Sequence, residues 1–438
     1  MKSDIRKIKN KLTKLYKNKN WQDILKNRRN AEEVLSIYFN QKNRDLLRNK
    51  KLFPIKINPY YASLVNKVDD GIWRQAVPHL EELYNPNYLK ENFLNEKSGL
   101  FNPTPCLLHR YPTKALIFVS NTCFGHCRHC FRNYSKSSVP ANLKNIFLAI
   151  DYIDEFNKVV DGSKNSFIKF KNKNINRFKI SDKYILRHSK NAKVCIEQGD
   201  YRIRDVLLSG GDPLMLDDDA LEKILKKICN VKTIDIVRIG TRCPVLLPQR
   251  ITKRLIKMLR KYSDKPIYIV TQFNHPAEIT PESIKACNLL RHAGIYIKNQ
   301  SVLLKGVNDD IKTLKKLFEG LINIGVDPYY VFHPMMAKGT NHLRIPLWKG
   351  LLIIRSLRGY TSGFTIPTYM ASAPLGKGKV PLPEGILEYS IKDGEAVIQN
   401  YEGNFYKYYD PIGYPMPSKK ELKKLFSFAI YKKIIKEL

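Results

Sequence analysis

From about residue 105 the chain repeats one unit. Short β-branched and aromatic runs alternate with longer amphipathic stretches, a period of two giving way to a helical period. Six runs read as strands: 115–119, 203–208, 235–239, 267–272, 295–303 and 328–333. Six stretches read as helices: 142–159, 219–229, 250–262, 281–293, 310–324 and 346–358. A helix between consecutive strands returns the chain to the same end of the sheet, so the strands pair in parallel. The pattern predicts an α/β fold whose parallel sheet curls into a partial (β/α)6 barrel, short of the eight units of a closed one.

The repeat divides the chain. Residues 1–104 form a mostly helical N-terminal extension, with apolar residues at helical intervals (Leu12, Leu15, Tyr16; Trp21, Ile24, Leu25). Within it, 53–80 is broken by Pro54, Pro59 and Pro78 and carries no obvious chemistry. The barrel core spans 105–335, interrupted at about 161–200 by a Lys- and Asn-rich insertion with Phe167, Phe170, Phe178 and Tyr184. Residues 336–438 hold a Gly/Lys/Pro run, a β-hairpin (LEYSIKDGEAVIQNYEG) and a basic helical tail.

Composition limits the setting. A hydrophobic fraction of 43% in 438 residues permits a large core. The start MKSDIRKIKNKL lacks the apolar stretch of a secretory leader, and no run approaches the roughly 20 apolar residues that span a bilayer. Scattered cysteines, apart from one triplet, argue for a reducing, cytoplasmic setting. A net charge of +36 suggests a polyanionic partner. Lysines spread over the whole length argue instead for a codon bias, and basic residues with aromatics at 161–200 read as a solvated loop rather than a nucleic-acid site.

The triplet is Cys123, Cys127 and Cys130, spaced C-x3-C-x2-C directly after the apolar run 115–119. Three thiolates this close can grip one metal centre. A structural zinc would need a fourth ligand, for which His126 or His129 stands nearby. A four-iron cluster held by three cysteines leaves one iron open to a non-protein ligand. No second C-x2-C or H-x3-H pair accompanies the triplet, which favours the cluster over zinc. Polar motifs fall at the C-terminal ends of later strands, where barrels collect their functional groups: Ser209-Gly210-Gly211-Asp212-Pro213, Gly240-Thr241-Arg242 and Asn299-Gln300-Ser301. A paired glycine at a strand end lets backbone approach a ligand closely.

The motif CFGHCRHC resembles the signature of the radical S-adenosylmethionine (SAM) enzymes, and with Arg132 the run CRHCFR is similar to the lysine 2,3-aminomutase family. The resemblance covers about 50–410. It implies a 4Fe-4S cluster on Cys123, Cys127 and Cys130, with SAM received by Gly210, Gly211 and Asp212 and by Arg242 and Gln300. It also implies pyridoxal 5′-phosphate (PLP), joined to Lys379 as a Schiff base. The family's four glycines before that lysine are here Leu375-Gly-Lys-Gly, so Lys377 competes with Lys379. Arg110, Tyr111 and Lys114 match the phosphate-holding stretch, Lys114 replacing an arginine and losing its fork. Arg132 matches the arginine that meets the substrate carboxylate. Where the family's two aspartates hold the substrate ammonium, this chain has Met335 and Ser372, so lysine is doubtful as substrate; both also differ from the Lys and Asn of glutamate aminomutases. The implied activity is a PLP-dependent 2,3-aminomutase, moving an amino group from Cα to Cβ through a 5′-deoxyadenosyl radical. Implied partners are a small amino acid, an electron donor such as flavodoxin or ferredoxin, and further copies of the chain. The rivals are a radical SAM enzyme that modifies RNA or protein, docking it on 161–200, and a non-catalytic metal-binding module.

Overall fold

The structure, a computed structural model, describes residues 2–36, 52–96, 101–133, 141–160 and 201–436. The insertion 161–200, and any docking role for it, lies outside the described residues. The centre is a nine-stranded sheet in strict chain order: β1 Leu107–Tyr111, β2 Lys114–Ser120, β3 Asp205–Gly210, β4 Ile236–Gly240, β5 Ile267–Thr271, β6 Tyr296–Val302, β7 Asp327–Phe332, β8 Thr368–Ser372 and β9 Lys379–Pro381. Strands β2 to β8 are parallel. The edge strands β1 and β9 run antiparallel to their neighbours. All six predicted strands are present. Strand β8 adds a seventh parallel member.

The crossovers are helices α1 Leu143–Val159, α2 Asp218–Cys229, α3 Lys253–Arg260, α4 Pro281–His292, α5 Ile311–Asn323 and α6 Leu347–Leu357. Five of the six begin on a side-chain cap: Asn142, Asp217, Thr252, Thr280 and Asp310 each accept a backbone N–H three residues on. Each such cap is worth about 1 kcal/mol. Alternation along the strands sends Val237, Ile239, Ile267, Ile269 and Ile297 into the core. The intervening Asp205, Arg238, Lys298, Gln300 and Tyr330 are less covered and belong to the opposite face.

That face is concave. Eight strand spacings of about 4.8 Å would hold the edges of a flat sheet roughly 38 Å apart. Instead Arg110 of β1 lies against the turn before β9, where a Cβ added to Gly376 would sit 2.6 Å from Arg110 Cζ. The two edges therefore meet through side chains, although no hydrogen bonds pair β1 with β9.

The N-terminal helices Lys2–Tyr16, Trp21–Lys26 and Arg28–Ser36 bury Leu12 and Ile24. At the other end the predicted hairpin, β10 Ile386–Ser390 and β11 Glu395–Gln399, grows into a small sheet with β12 Phe405–Tyr409 and β13 Ile435–Lys436. Buried Arg344 fastens it, donating to Tyr408 Oη at 3.0 Å and to the Tyr409 carbonyl. Asp410 accepts the Leu347 N–H at the start of α6, at 2.8 Å, and the Tyr389 hydroxyl. Among the described residues no helix is long and apolar enough to cross a membrane.

Candidate active site

The cysteine loop leaves the C-terminal end of β2 and rests on the proline-broken segment 53–80. The Lys56 carbonyl accepts the His126 N–H at 2.8 Å. Asn58 Nδ2 donates to the Leu246 carbonyl at 2.7 Å and the Phe124 carbonyl at 3.4 Å. His126 turns its Nδ1 to the Pro54 carbonyl at 2.9 Å and lays its ring against Phe53. His129 Nε2 lies 3.0 Å from Gln272 Nε2, and its buried Nδ1 has no hydrogen-bond partner among the described residues. Burial lowers the His129 pKa to about 3, keeping the ring neutral.

Among the described residues no three His, Cys, Asp or Glu side chains are already arranged to hold a metal ion. The three thiols nonetheless lie within electrostatic reach of one another. Burial, reinforced by Cys127, pushes the Cys130 thiol up to about 11, and burial with its thiol neighbours pushes Cys123 up as well. Each cysteine also has its own cation: Lys56 beside Cys123, Arg242 on Cys127 and Arg132 beside Cys130. Such surroundings suit a centre that carries negative charge once the thiols have lost their protons.

Arg242 is the hub. Its Nη1 donates to Cys127 Sγ at 2.8 Å, its Nε to the Gln272 carbonyl at 3.0 Å, and its Nη2 to Glu278 Oε1 at 2.8 Å and Gln75 Oε1 at 2.6 Å. Glu278 is fully buried and also accepts from Tyr61, Gln75, Asn274 and His275. Tyr61 and Gln75 come from the segment that carried no obvious chemistry in the sequence; the structure makes it the wall behind the cysteines.

The glycine pair makes a close approach of backbone to backbone. A Cβ on Gly210, whose φ is +122°, would collide with the Ser120 carbonyl, and one on Gly211 with the Thr122 carbonyl. The glycines let the end of β3 close against the chain entering the cysteine loop. The Asp212 carboxylate is committed within the protein, accepting from Thr241 Oγ1 at 2.6 Å, Arg242 N at 2.9 Å and Leu214 N at 3.0 Å. Gln300 is half-buried on β6.

Lys379 opens β9, in register with Ser372. Its Nζ lies 4.6 Å from the Tyr330 ring centroid and 4.9 Å from that of Phe332. Burial first, then Arg238 and Lys114, lower its pKa from 10.5 to about 7, against a smaller opposing pull from Asp205. The turn before it keeps Gly376 and Gly378, both at positive φ, and lacks the other two of the family's four glycines. Leu375 adopts the left-handed region itself, with φ +58° and ψ +18°, and stays exposed. Lys377 sits in the turn, its carbonyl held by Asn400 Nδ2 at 2.7 Å. Arg110 donates to the Leu94 carbonyl at 2.9 Å; Lys114 Nζ lies 5.6 Å from the Tyr111 ring, and Tyr111 faces Tyr401. The structure therefore gathers Arg110, Tyr111, Lys114 and Lys379, which the sequence separates by up to 269 positions, at the seam where the sheet edges meet.

Arg132 is clamped. Its Nε and Nη2 each donate to a Glu96 carboxylate oxygen at 2.8 Å, and Nη1 donates to the Gly210 carbonyl at 3.1 Å. Three of its five N–H donors are thereby used. Met335 is half-buried against the core and Ser372 is buried. Glu96, Arg238, Asp205, Tyr330 and Phe332 were missed by sequence reasoning. The only signal for the last four was their place on strands, at alternate positions facing inward.

A three-cysteine loop at one strand end and a desolvated lysine at the sheet seam, on one α/β frame, define an enzyme. The lysine-2,3-aminomutase family model matches residues 354–436. An L-lysine 2,3-aminomutase of Methanococcus maripaludis is 37% identical over 410 residues, covering 90% of this chain and 83% of the relative. The Clostridium subterminale L-lysine 2,3-aminomutase is 36% identical over 404 residues, covering 90% and 85%. A glutamate 2,3-aminomutase of Clostridioides difficile is 35% identical over 404 residues, covering 90% and 83%. The chain belongs to the lysine 2,3-aminomutase family. It is an isomerase that moves an amino group.

Proposed function

We propose that this enzyme is a radical SAM, PLP-dependent amino-acid 2,3-aminomutase whose substrate side chain carries no positive charge. The observation that carries the proposal is the gathering of Lys379 with Arg110, Tyr111 and Lys114, on the same curled sheet that carries the cysteine loop. The sheet in strict chain order, with side chains of its two edges in contact, supports reading the fold as a partial (β/α)6 radical SAM barrel. When bound, the cluster with SAM supplies a 5′-deoxyadenosyl radical, and PLP spreads the unpaired electron while the amino group moves from Cα to Cβ. Cys123, Cys127 and Cys130 hold the cluster, His126 being turned away and the fourth position left to SAM. The turn Gly210–Asp212, with Arg242 and Gln300, shapes the SAM site. Lys379 holds PLP covalently, and Arg110, Tyr111 and Lys114 face its phosphate. Arg132, oriented by Glu96, offers its remaining N–H groups to the substrate carboxylate. A reduced flavodoxin- or ferredoxin-like protein delivers the electron, and the chain works as a homo-oligomer in the cytoplasm.

The substrate class follows from charge. Relatives are named for lysine and for glutamate, and this chain places Met335 and Ser372 where side-chain selection falls. Among the described residues, the carboxylates bonded at the arginines and turn named above are taken: Glu96 by Arg132, Asp205 by Arg238, Asp212 by Thr241 and two backbone N–H groups. A buried substrate ammonium would lack a partner, which costs several kcal/mol.

The test is anaerobic purification with iron, sulfide and PLP, followed by absorbance of the native enzyme and of Lys379→Ala. The native protein gains the visible band of a lysine–PLP bond and the variant does not; an identical band in both sinks the assignment. Amino acids incubated with SAM and a reductant should then yield β-isomers, with lysine among the poorest substrates. Efficient turnover of lysine would overturn the charge reasoning.

A further inference from the structure

We infer that Arg238 is a positioning residue that keeps Lys379 nucleophilic, by locking the Asp205 carboxylate and so denying the lysine a counter-ion. This deepens the reading of Lys379 as the PLP lysine and rests on it. Arg238 Nε donates to Asp205 Oδ1 at 2.6 Å, across the neighbouring strands β4 and β3. Both side chains are about one-fifth exposed, 23% and 18%. The groups that act on Lys379 come from four strands: Tyr330 and Phe332 on β7, Arg238 on β4, Asp205 on β3 and Lys114 on β2. Asp205 is the one acid among them. With Arg238 upon it, two cations and a low-dielectric wall face the lysine, and the ammonium is disfavoured. The two aromatic faces pull the other way, since a ring attracts a cation. The balance still lies far below an ordinary lysine, at about 7, so that near neutral pH a large share of the side chain is the amine that attacks a carbonyl.

A merely structural staple between β3 and β4 would change stability and leave the lysine untouched. The experiment therefore reads the lysine directly, in the chain without PLP. A small amine-acylating reagent is applied across pH 5–11, and the labelling of Lys379 is followed by peptide mass spectrometry. Native protein should reach half-maximal reactivity near pH 7. Arg238→Gln frees Asp205 to pair with the ammonium and should move the midpoint up by at least one pH unit, which slows labelling at pH 7 about five-fold. Arg238→Lys keeps the charge and should stay within half a unit of native. Asp205→Asn removes the competing anion and should move the midpoint down; this variant and Arg238→Lys decide the matter if Arg238→Gln fails to fold. A native midpoint near that of an ordinary lysine, or a midpoint unmoved in both Arg238→Gln and Asp205→Asn, overturns the inference. Shifted midpoints in a protein that never joins PLP would uphold it and remove the PLP reading instead.

Discussion

Arg242→Met tests whether the wall behind the cysteines does more than fill space. Methionine keeps much of the arginine's volume and removes its charge and five donors. Glu278, fully buried, then loses the only cation bonded to it among the described residues. Breaking a buried ion pair from one side costs about 3–5 kcal/mol. Four donors remain on Glu278, from Tyr61, Gln75, Asn274 and His275, which places the loss near the lower end, about 3 kcal/mol. Guanidinium denaturation of the protein without cofactors measures it. The double variant Arg242→Met, Glu278→Gln removes the stranded charge and should recover at least about 1 kcal/mol, because neighbours in one network do not add. Cys127 meanwhile loses the N–H that holds its sulfur, so iron bound per chain after anaerobic reconstitution should fall in both variants. A loss below about 1 kcal/mol in the single variant, or a double variant no more stable than the single, would refute the ion-pair reasoning. Native iron content in Arg242→Met would refute the link to the cysteines.

Two further outcomes follow from the C-terminal region. Leu375 holds a left-handed backbone that costs a side chain about 1 kcal/mol; Leu375→Gly should therefore leave stability equal or up to about 0.5 kcal/mol higher after the glycine's unfolded-state entropy, whereas the β-branched Leu375→Val should lose more than about 1 kcal/mol, both by denaturant titration. Burial lifts the Asp410 carboxyl from 3.8 to about 6, so the folded chain holds a proton that the unfolded chain gives up between those values. That contribution is complete below pH 4 and lost as pH rises past 6; relative to native, Asp410→Asn should gain about 1–3 kcal/mol between pH 4 and 7, and a flat difference would show that Asp410 is ionised throughout.

The repeat was legible because both periods were clean. Val237 and Ile239, or Ile267 and Ile269, alternate with less covered partners in a way no helix tolerates. Strand β8 was not legible, since TYMAS follows a proline and four of its five residues are buried, which erases the alternation. The small sheet was half legible: its hairpin is marked by the turn Lys392-Asp393-Gly394, while β12 and β13 join it from further along the chain. At Gly210 and Gly211 a glycine reports a close approach without naming what approaches. Here it is the backbone of Ser120 and Thr122.

Charge was the least legible property, and for a physical reason. A count of +36 says nothing about which cations are shielded and which face one another. Folding sorts them by the acids they meet. Arg132 meets Glu96, Arg242 meets Glu278 and Arg238 meets Asp205, so three of the arginines placed at the site spend their charge on fixed carboxylates. Among the described residues Lys379 forms no ion pair, and burial with Arg238 and Lys114 lowers its pKa to about 7. The pairing proposed to keep this lysine reactive also uses up acids that a cationic substrate would need. If Lys379 is the nucleophile proposed above, nucleophile and selectivity depend on one distribution of carboxylates: a variant that frees Asp205 should both blunt Lys379 and make the site more tolerant of a positively charged side chain.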